Sequence, residues 1–470
     1  MLLIAVTGPV GSGKTSLLAA LAAWSAGHGR PAEGFLARAV GRSEPGRGAA
    51  SYELQWLRDD RTSPFATRRR GGGPAYVFRD EAQVEVRRWA AALRRRPVRP
   101  LVILDEFGPR EVHGGGHLAI WSDIRAADPG IVVIAVREGL VDAVAERLGR
   151  RFDVVVDVRS PGAWERLRSA CREHEDWQRV GTYGAAAGSV EVGLGSALHG
   201  LHVPGRGMIL SSLQAAVMTE AGGGLGRRRR VVWVPFIAAG LKALSPAGSR
   251  LRPMLAITVQ GLLFGGGTGL LGWNPVGVGL GAALVGAWAA LQGIVLQYLL
   301  VGDCLLQAYE AITAWVQVHL GMGAPAVGTA LAIYVGLHAL AALSAALFVY
   351  RRRELPVRFR RLLEHRVQSN PAGPVPRGRL EPLRHALHDV TRPFFWLPPL
   401  LIGLVVLAAG AGWQRLFWMV IRAATVGFVL FSVARSFRPR RAAAWLRAHG
   451  YWGPALALER ALGERRRDER

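Results

Sequence analysis

Charge is missing where a water-soluble protein needs it. Between positions 253 and 350 there is no Lys or Arg, and Asp303 and Glu310 are the only acids. No water-soluble domain keeps a run of that length so free of charge, which excludes a wholly soluble protein. Cysteine is nearly absent as well: Cys171 and Cys304 lie far apart, excluding a disulfide framework and any Cys-rich metal site. Lysine is equally scarce, Lys14 being the only one in the first 241 residues. No Leu-Ser-Gly-Gly-Gln signature occurs, and Leu210-Ser-Ser-Leu-Gln214 is a superficial echo, so an ABC-type ATPase is excluded. The chain opens on a strand-like run and a glycine loop, with no cleavable signal peptide in view.

What is present is unevenly spread. The 470 residues carry 59 basic and 34 acidic side chains, a formal charge of +25, and the length is a prior for two or three domains. Residues 1–180 hold 28 basic and 22 acidic groups, whereas 181–470 hold 31 and 12. A uniformly basic nucleic-acid binder is therefore excluded, and no nucleic-acid partner is expected.

Leu2-Leu-Ile-Ala-Val-Thr7 has the length of a buried parallel strand, and an Ala/Leu-rich helix runs to about Ala26. Between them Gly8-Pro-Val-Gly-Ser-Gly-Lys-Thr15 matches GxxxxGK[ST] in full, in the strand–loop–helix setting this motif needs. Glycines let the backbone curl so that successive N–H groups and the helix N-terminus face phosphate oxygens. Gly8, Gly11, Ser12, Gly13, Lys14, Thr15 and Ser16 are thus the expected cradle for ATP or GTP with Mg²⁺. Lys14 is expected to reach the β/γ-phosphates and the Thr15 hydroxyl to ligate the metal. A second apolar run, Leu101–Leu104, ends in Asp105-Glu106, the Walker-B pattern. Asp105 is expected in the Mg²⁺ shell and Glu106 as the group that orients or deprotonates the attacking water, so the catalytic residues are Lys14 and Glu106.

Further apolar runs at 131–136 and 153–158 alternate with helical stretches near 80–95, 117–127, 138–149 and 161–176. This alternation predicts a three-layer α/β domain with a mostly parallel sheet over residues 1–180, its ligand site at the strand carboxyl ends. Glu33–Arg38 and Ser51–Leu57 read as a hairpin around the Gly/Arg-rich loop 41–50. The P-loop, Gly34-Phe-Leu-Ala-Arg38, Tyr52-Glu-Leu-Gln-Trp-Leu57 and Ile103-Leu-Asp-Glu-Phe-Gly-Pro-Arg-Glu111, in that order, resemble the small P-loop nucleoside-triphosphatase family (NTPase/nucleotide-kinase type) of bacteria and archaea. The likeness covers about residues 1–160, with Phe107 and Arg110 where that family has Ile and Met. It implies that Lys14, Thr15, Asp105 and Glu106 handle phosphate, metal and water, with loose base specificity.

Other features leave alternatives open. Arg68–Arg70 and Arg94–Arg96 read either as a source of a transition-state arginine or as solvated faces. His113-Gly-Gly-Gly-His117 reads as a flexible loop or as part of a metal site lacking a third ligand. His199 and His202 are likewise an incomplete pair.

From about 181 the composition turns to Gly, Ala, Leu and Val. Residues 181–230 read as a linker or membrane-entry segment, 231–435 as an all-α membrane domain and 436–470 as a basic cytoplasmic tail. Apolar stretches at 231–248, 253–272, 276–300, 325–350, 396–413 and 416–433 are the candidate crossings of the bilayer, six in all, while 208–221 and 304–320 are ambiguous. Arg227–Arg230, the loop 351–392 with Arg351–Arg353, Arg358, Arg360, Arg361 and Arg366, and the tail after Arg435 place both termini in the cytoplasm, at the inner membrane. Arg250 and Arg252 are the exceptions, falling outside. The Pro/Gly-rich stretch 367–380 reads as a linker. Asp303, Glu310, Gln260, Gln292 and Gln297 read as functional polar groups or as interfacial ones, and Arg422 as snorkelling or paired within the bundle. Trp273, Trp396, Trp413 and Trp418 fit an aromatic belt, and the tail's spaced Trp and Leu residues fit a helix lying on anionic lipid. Residues 205–300 faintly resemble the membrane substrate-binding components of energy-coupling-factor transporters, which implies vitamin, metal or precursor transport with a coupling subunit as partner. The alternatives are a membrane-anchored nucleotide phosphatase or kinase, and a nucleotide-sensing regulator.

Overall fold

The computed structural model describes residues 1–41, 49–69, 76–95, 100–200, 205–243, 251–321, 325–352 and 381–463. Most of the loop 41–50, Arg70, Arg96, His202, Arg250, residues 353–380 with their arginines, and the last residues of the tail lie outside that set. The chain divides into two compact units, Met1–Glu175 with His449–Gly453, and Asp176–Ala448 with a stretch beginning at Pro454.

The first unit is built on eight strands: β1 (Leu2–Gly8), β2 (Ala32–Val40), β3 (Ser51–Trp56), β4 (Thr62–Arg68), β5 (Tyr76–Phe78), β6 (Leu101–Phe107), β7 (Ile131–Arg137) and β8 (Val154–Asp157). Their order in the sheet is β5-β4-β3-β2-β6-β7-β1-β8. Alternating side chains explain the continuous apolar runs of β1, β6 and β7, because both faces are covered. Leu3, Ala5, Val102, Leu104 and Val132 pack beneath α2 (Asp80–Leu93), α4 (Trp121–Ala127) and α5 (Val141–Arg147). Leu2, Ile4, Val6, Ile103 and Val133 pack against α1 (Lys14–Gly27) and the start of α6 (Ala163–Gly200). The short α3 (Pro109–Val112) follows β6.

The expectation of a mostly parallel sheet needs correction. β2, β6, β7, β1 and β8 are parallel neighbours, but β2–β3, β3–β4 and β4–β5 are antiparallel, so the sheet is mixed. Two of its strands, β4 and β5, have no counterpart in the sequence reading. β4 carries Pro64, which removes a ladder donor and disguises a strand.

The second unit is helical. After α6 come α7 (Arg206–Gly223), α8 (Trp233–Lys242), α9 (Leu251–Leu271), α10 (Pro275–Val301), α11 (Cys304–Leu320) and α12 (Pro325–Arg352). They are followed by α13 (Glu381–Thr391), α14 (Pro393–Ala408), α15 (Trp413–Ser436), α16 (Pro439–Ala448) and α17 (Trp452–Ala461). Among the described residues, four helices are long and apolar enough to cross a membrane: α9 over Pro253–Leu271, α10, α12 and α15. The pair α13–α14, bent by 45°, makes a fifth if counted as one span.

Six crossings are therefore not what the helices provide. Among the described residues, the stretch 231–248 contributes the ten-residue α8, about 15 Å at 1.5 Å per residue, half of a hydrocarbon core of about 30 Å. Of the stretch 396–413, only the part up to Ala408 lies in the sixteen-residue α14, which carries Pro398 and Pro399 in its interior. Residues 181–230 are helical over most of their length. α7 is buried from Gln214 to Gly222 against α10 and α12. Small residues set the spacing here: a Cβ on Gly286 of α10 would lie 2.2 Å from the His338 carbonyl oxygen of α12.

Polar groups of the bundle are partly accounted for. Arg422, exposed, donates through Nε to the Leu299 carbonyl at 3.3 Å, near the C-terminal end of α10. The Tyr298 hydroxyl donates to Asp303 at 3.4 Å, Glu310 is exposed, and Gln260 is buried. The tail differs from a helix lying on lipid: Ala455, Leu456, Ala457 and Leu458 of α17 are buried in protein, and Gly181 of α6 approaches the backbone at Ala457.

Candidate functional site

The glycine loop links β1 to α1 as the motif requires. Gly11 and Gly13 adopt φ of 77° and 93°, left-handed values that only glycine takes without strain, and Gly13 caps α1. Lys14 folds back over the loop, its Nζ donating to the carbonyls of Gly8 at 2.8 Å and Pro9 at 2.7 Å. Burial holds its pKa below the ordinary lysine value, assisted by Arg137 and opposed by Glu106, Asp105 and Glu138. Ser12 donates to the Pro9 carbonyl at 2.8 Å, and Ser16 is exposed one residue beyond Thr15.

β7 lies between β1 and β6, yet the loop and the end of β6 meet across it. The Thr15 hydroxyl donates to Asp105 Oδ2 at 2.7 Å. Asp105 is buried and also accepts the Ala37 and Glu106 backbone N–H groups. Burial, with the neighbouring Glu106, pushes its pKa up to about 6 against those hydrogen bonds. Glu106 itself is exposed, with φ of 68°, a left-handed conformation costly for a residue with a Cβ. The β6–β7 register shifts between Leu104 and Phe107, so the strand bulges at this residue. All of the expected site residues thus belong to one loop–helix junction and one strand end.

The loop after Glu106 is anchored by a residue the sequence reading did not single out. Glu111, buried, accepts the Gly108 N–H at 2.8 Å through one oxygen and the His117 N–H at 3.0 Å through the other. Glu111→Gln leaves one of those donors without an acceptor. It should cost about 1–3 kcal/mol in denaturant unfolding.

His113 and His117 part ways. His113 is exposed and its ring contacts the Pro109 carbonyl at 2.5 Å, while His117 is buried among Phe35, Phe65 and Phe107. Gly114 and Gly115 between them form a turn outside any helix, and a short 3₁₀ helix, Gly116–Ile120, carries His117. Among the described residues no group of three His, Cys, Asp or Glu side chains is placed to hold a metal ion. Arg94 pairs with Asp123 at 2.9 Å on the surface, and Arg68 ends β4. Beside the glycine loop, Arg159 bridges Asp157 and Glu138, an arrangement with no sequence signal beyond the acid at the end of β8. A depression of about 450 Å³ adjoins the loop, lined by Ser12, Gly13, Ser16, Leu17, Ala20, Val158 and Trp164. Val158 and Trp164 were not expected there, because nothing in their spacing ties them to the motif.

No family model matches the chain, and no curated protein matches it. Among solved structures it is similar to a human cancer-related nucleoside triphosphatase determined in solution, at 20% identity over 36% of this chain and 96% of that one, with a TM-score of 0.29.

Proposed function

We propose that this is a membrane-embedded protein whose first unit binds a Mg²⁺–nucleoside triphosphate and hydrolyses it. The observation that carries this reading is the 2.7 Å contact between Thr15 and Asp105, which joins the GxxxxGKT loop to the acidic end of β6. The donor set fits the metal: a hydroxyl and a buried carboxylate are hard oxygen ligands of the kind Mg²⁺ takes, and a carboxyl held near neutrality gains most from a cation. Bound there, Mg²⁺ supplies charge neutralisation for the phosphates.

The chain's own residues do the rest. The loop's backbone N–H groups and the start of α1 receive phosphate oxygens. The Lys14 ammonium exchanges the Gly8 and Pro9 carbonyls for the terminal phosphates, trading neutral acceptors for anionic ones. Glu106 presents its carboxylate to solvent beside Asp105 and orients a water. The nucleoside rests in the depression formed with Val158 and Trp164, where an aromatic face accepts a base without selecting ATP over GTP.

In this reading hydrolysis serves movement of a small molecule by the helical unit, with the first unit and both termini on the cytoplasmic side, as the arginine distribution predicts. Lys14→Ala in the full chain should weaken nucleotide binding about 10–100-fold, through loss of charge-assisted bonds, and remove hydrolysis with it. Equilibrium binding of ATP and GTP checks this, and a variant that binds both as the parent does overturns it. Vesicles holding the active protein that accumulate no solute on nucleotide addition would leave a membrane-anchored nucleotidase instead.

A further inference from the structure

The second unit holds a cavity of about 690 Å³ lined by Arg179, Arg228 and Arg351, by Trp273 and Leu347, and by one acid, the buried Glu220. It lies where α7 and α9 end, α10 begins and α12 ends, so three of the four candidate spans share this end of the bundle. Among the described residues none of the three arginines forms an ion pair. Arg228 donates through Nη1 to the Trp273 carbonyl at 3.3 Å and lies 5.6 Å from its ring centre, leaving its remaining N–H groups for another partner. The Arg179 guanidinium rests against Gly224, where a Cβ would overlap it.

The wall is fixed rather than casual. Asp176 accepts the backbone N–H groups of Gly226 at 2.9 Å and Arg227 at 3.1 Å and pairs with Arg230 at 2.8 Å, while Arg230 stacks 5.1 Å from the Trp177 ring centre. One carboxylate therefore pins the segment that carries Arg228. Three arginines against one acid, Glu220, leave a net positive charge round one concavity that an anion would balance, and planar guanidinium groups match phosphate geometry. Leu347, Val349 and Trp273 add an apolar side to the same cavity.

We infer that this cavity binds a phosphate-bearing ligand, the phosphate seated among Arg179, Arg228 and Arg351, and that its source is the headgroup of an anionic phospholipid. Basic pockets between membrane helices at headgroup depth recognise such lipids, and the apolar wall suits the start of an acyl chain. The inference concerns a different unit from the nucleotide site and stands whether or not Lys14 binds nucleotide.

The test uses the purified full chain in neutral detergent, with thermal unfolding and native mass spectrometry as readouts. Phosphatidylglycerol, phosphatidylcholine and inorganic phosphate are added separately. Phosphatidylglycerol should raise the unfolding temperature and remain bound, phosphatidylcholine should do neither, and the triple variant R179Q/R228Q/R351Q should lose the effect. At roughly 1 kcal/mol per arginine, each replacement weakens the apparent affinity about fivefold. Stabilisation by inorganic phosphate alone, lost in the same variant, supports the phosphate seat and assigns it to a soluble ligand rather than a lipid. The control R229Q/R352Q removes two arginines at the same end that do not line the cavity. If that control loses as much binding as the triple variant, or if the triple variant still binds phosphatidylglycerol as the parent does, the inference is overturned.

Discussion

Glu106→Gln should lower turnover of nucleoside triphosphate about 10²–10⁴-fold, the usual range for a positioned general base, while leaving nucleotide affinity nearly unchanged. The expectation rests on placement. In the proposed function Lys14 and the loop receive the phosphates; Asp105 and Thr15 are joined at 2.7 Å, and Glu106 is the exposed carboxylate of that strand end. Its backbone, at φ of 68°, is held there by the bulge in β6 and by the Glu111 anchor downstream. A side chain kept in a conformation that costs about 1 kcal/mol is one whose position matters more than its comfort. Glu106→Gly separates the two effects. Glycine accepts this φ freely, so stability should hold steady or rise by up to about 1 kcal/mol while hydrolysis is lost. Single-turnover hydrolysis and urea unfolding of the two variants check the pair. Normal turnover in Glu106→Gln would remove the carboxylate from the mechanism.

The second large effect concerns acid. His117 is buried with both ring nitrogens unpartnered, and burial, with Arg110 nearby, pulls its pKa down to about 3 from the ordinary 6.5. A base whose folded pKa is depressed binds more protons when unfolded. Its contribution is therefore fully present above pH 6.5 and is lost as pH falls toward 3, up to about 5 kcal/mol across that window. Asp105 acts oppositely: its folded pKa near 6 favours the folded state on acidification between 6 and its ordinary value, by about 3 kcal/mol. Comparison with His117→Phe isolates the histidine. Phenylalanine keeps the stacking on Phe65 and removes two buried polar atoms without partners. Stability at neutral pH should rise by about 1–2 kcal/mol. The acid midpoint should move down. Identical acid profiles for parent and variant would show that this histidine is not the titrating group.

The legible parts of this chain are those written in contiguous residues. β1, the glycine loop and α1 are neighbours along the chain, so spacing alone places Lys14 and Thr15. Asp105 was readable because an apolar strand of fixed length aims the residue after it at the carboxyl edge of the sheet. Glu111, Val158 and Trp164 were not, because each acts through a tertiary approach that no spacing encodes. β4 was hidden by Pro64. In the helical unit, composition found the apolar helices but not their number, since a stretch such as 396–413 has the hydropathy of a crossing while its helix ends at Ala408. α7 shows the reverse: Gln214 and Glu220 make it look unsuited to an interior, yet its neighbours bury it.

Trp452 packs against the cluster formed by Leu18, Leu21, Ala163 and Leu167, and the segment His449–Gly453 belongs to the first unit. The core that supports the glycine loop therefore includes a residue made after the whole of Asp176–Ala448. During synthesis that unit must wait for everything from Asp176 to Ala448 to be produced, about 15–55 s at 5–20 residues per second. A ribosome that has finished the Walker-B strand has not yet finished the domain that uses it. The apolar helices of the second unit are therefore made before the segment that completes the first.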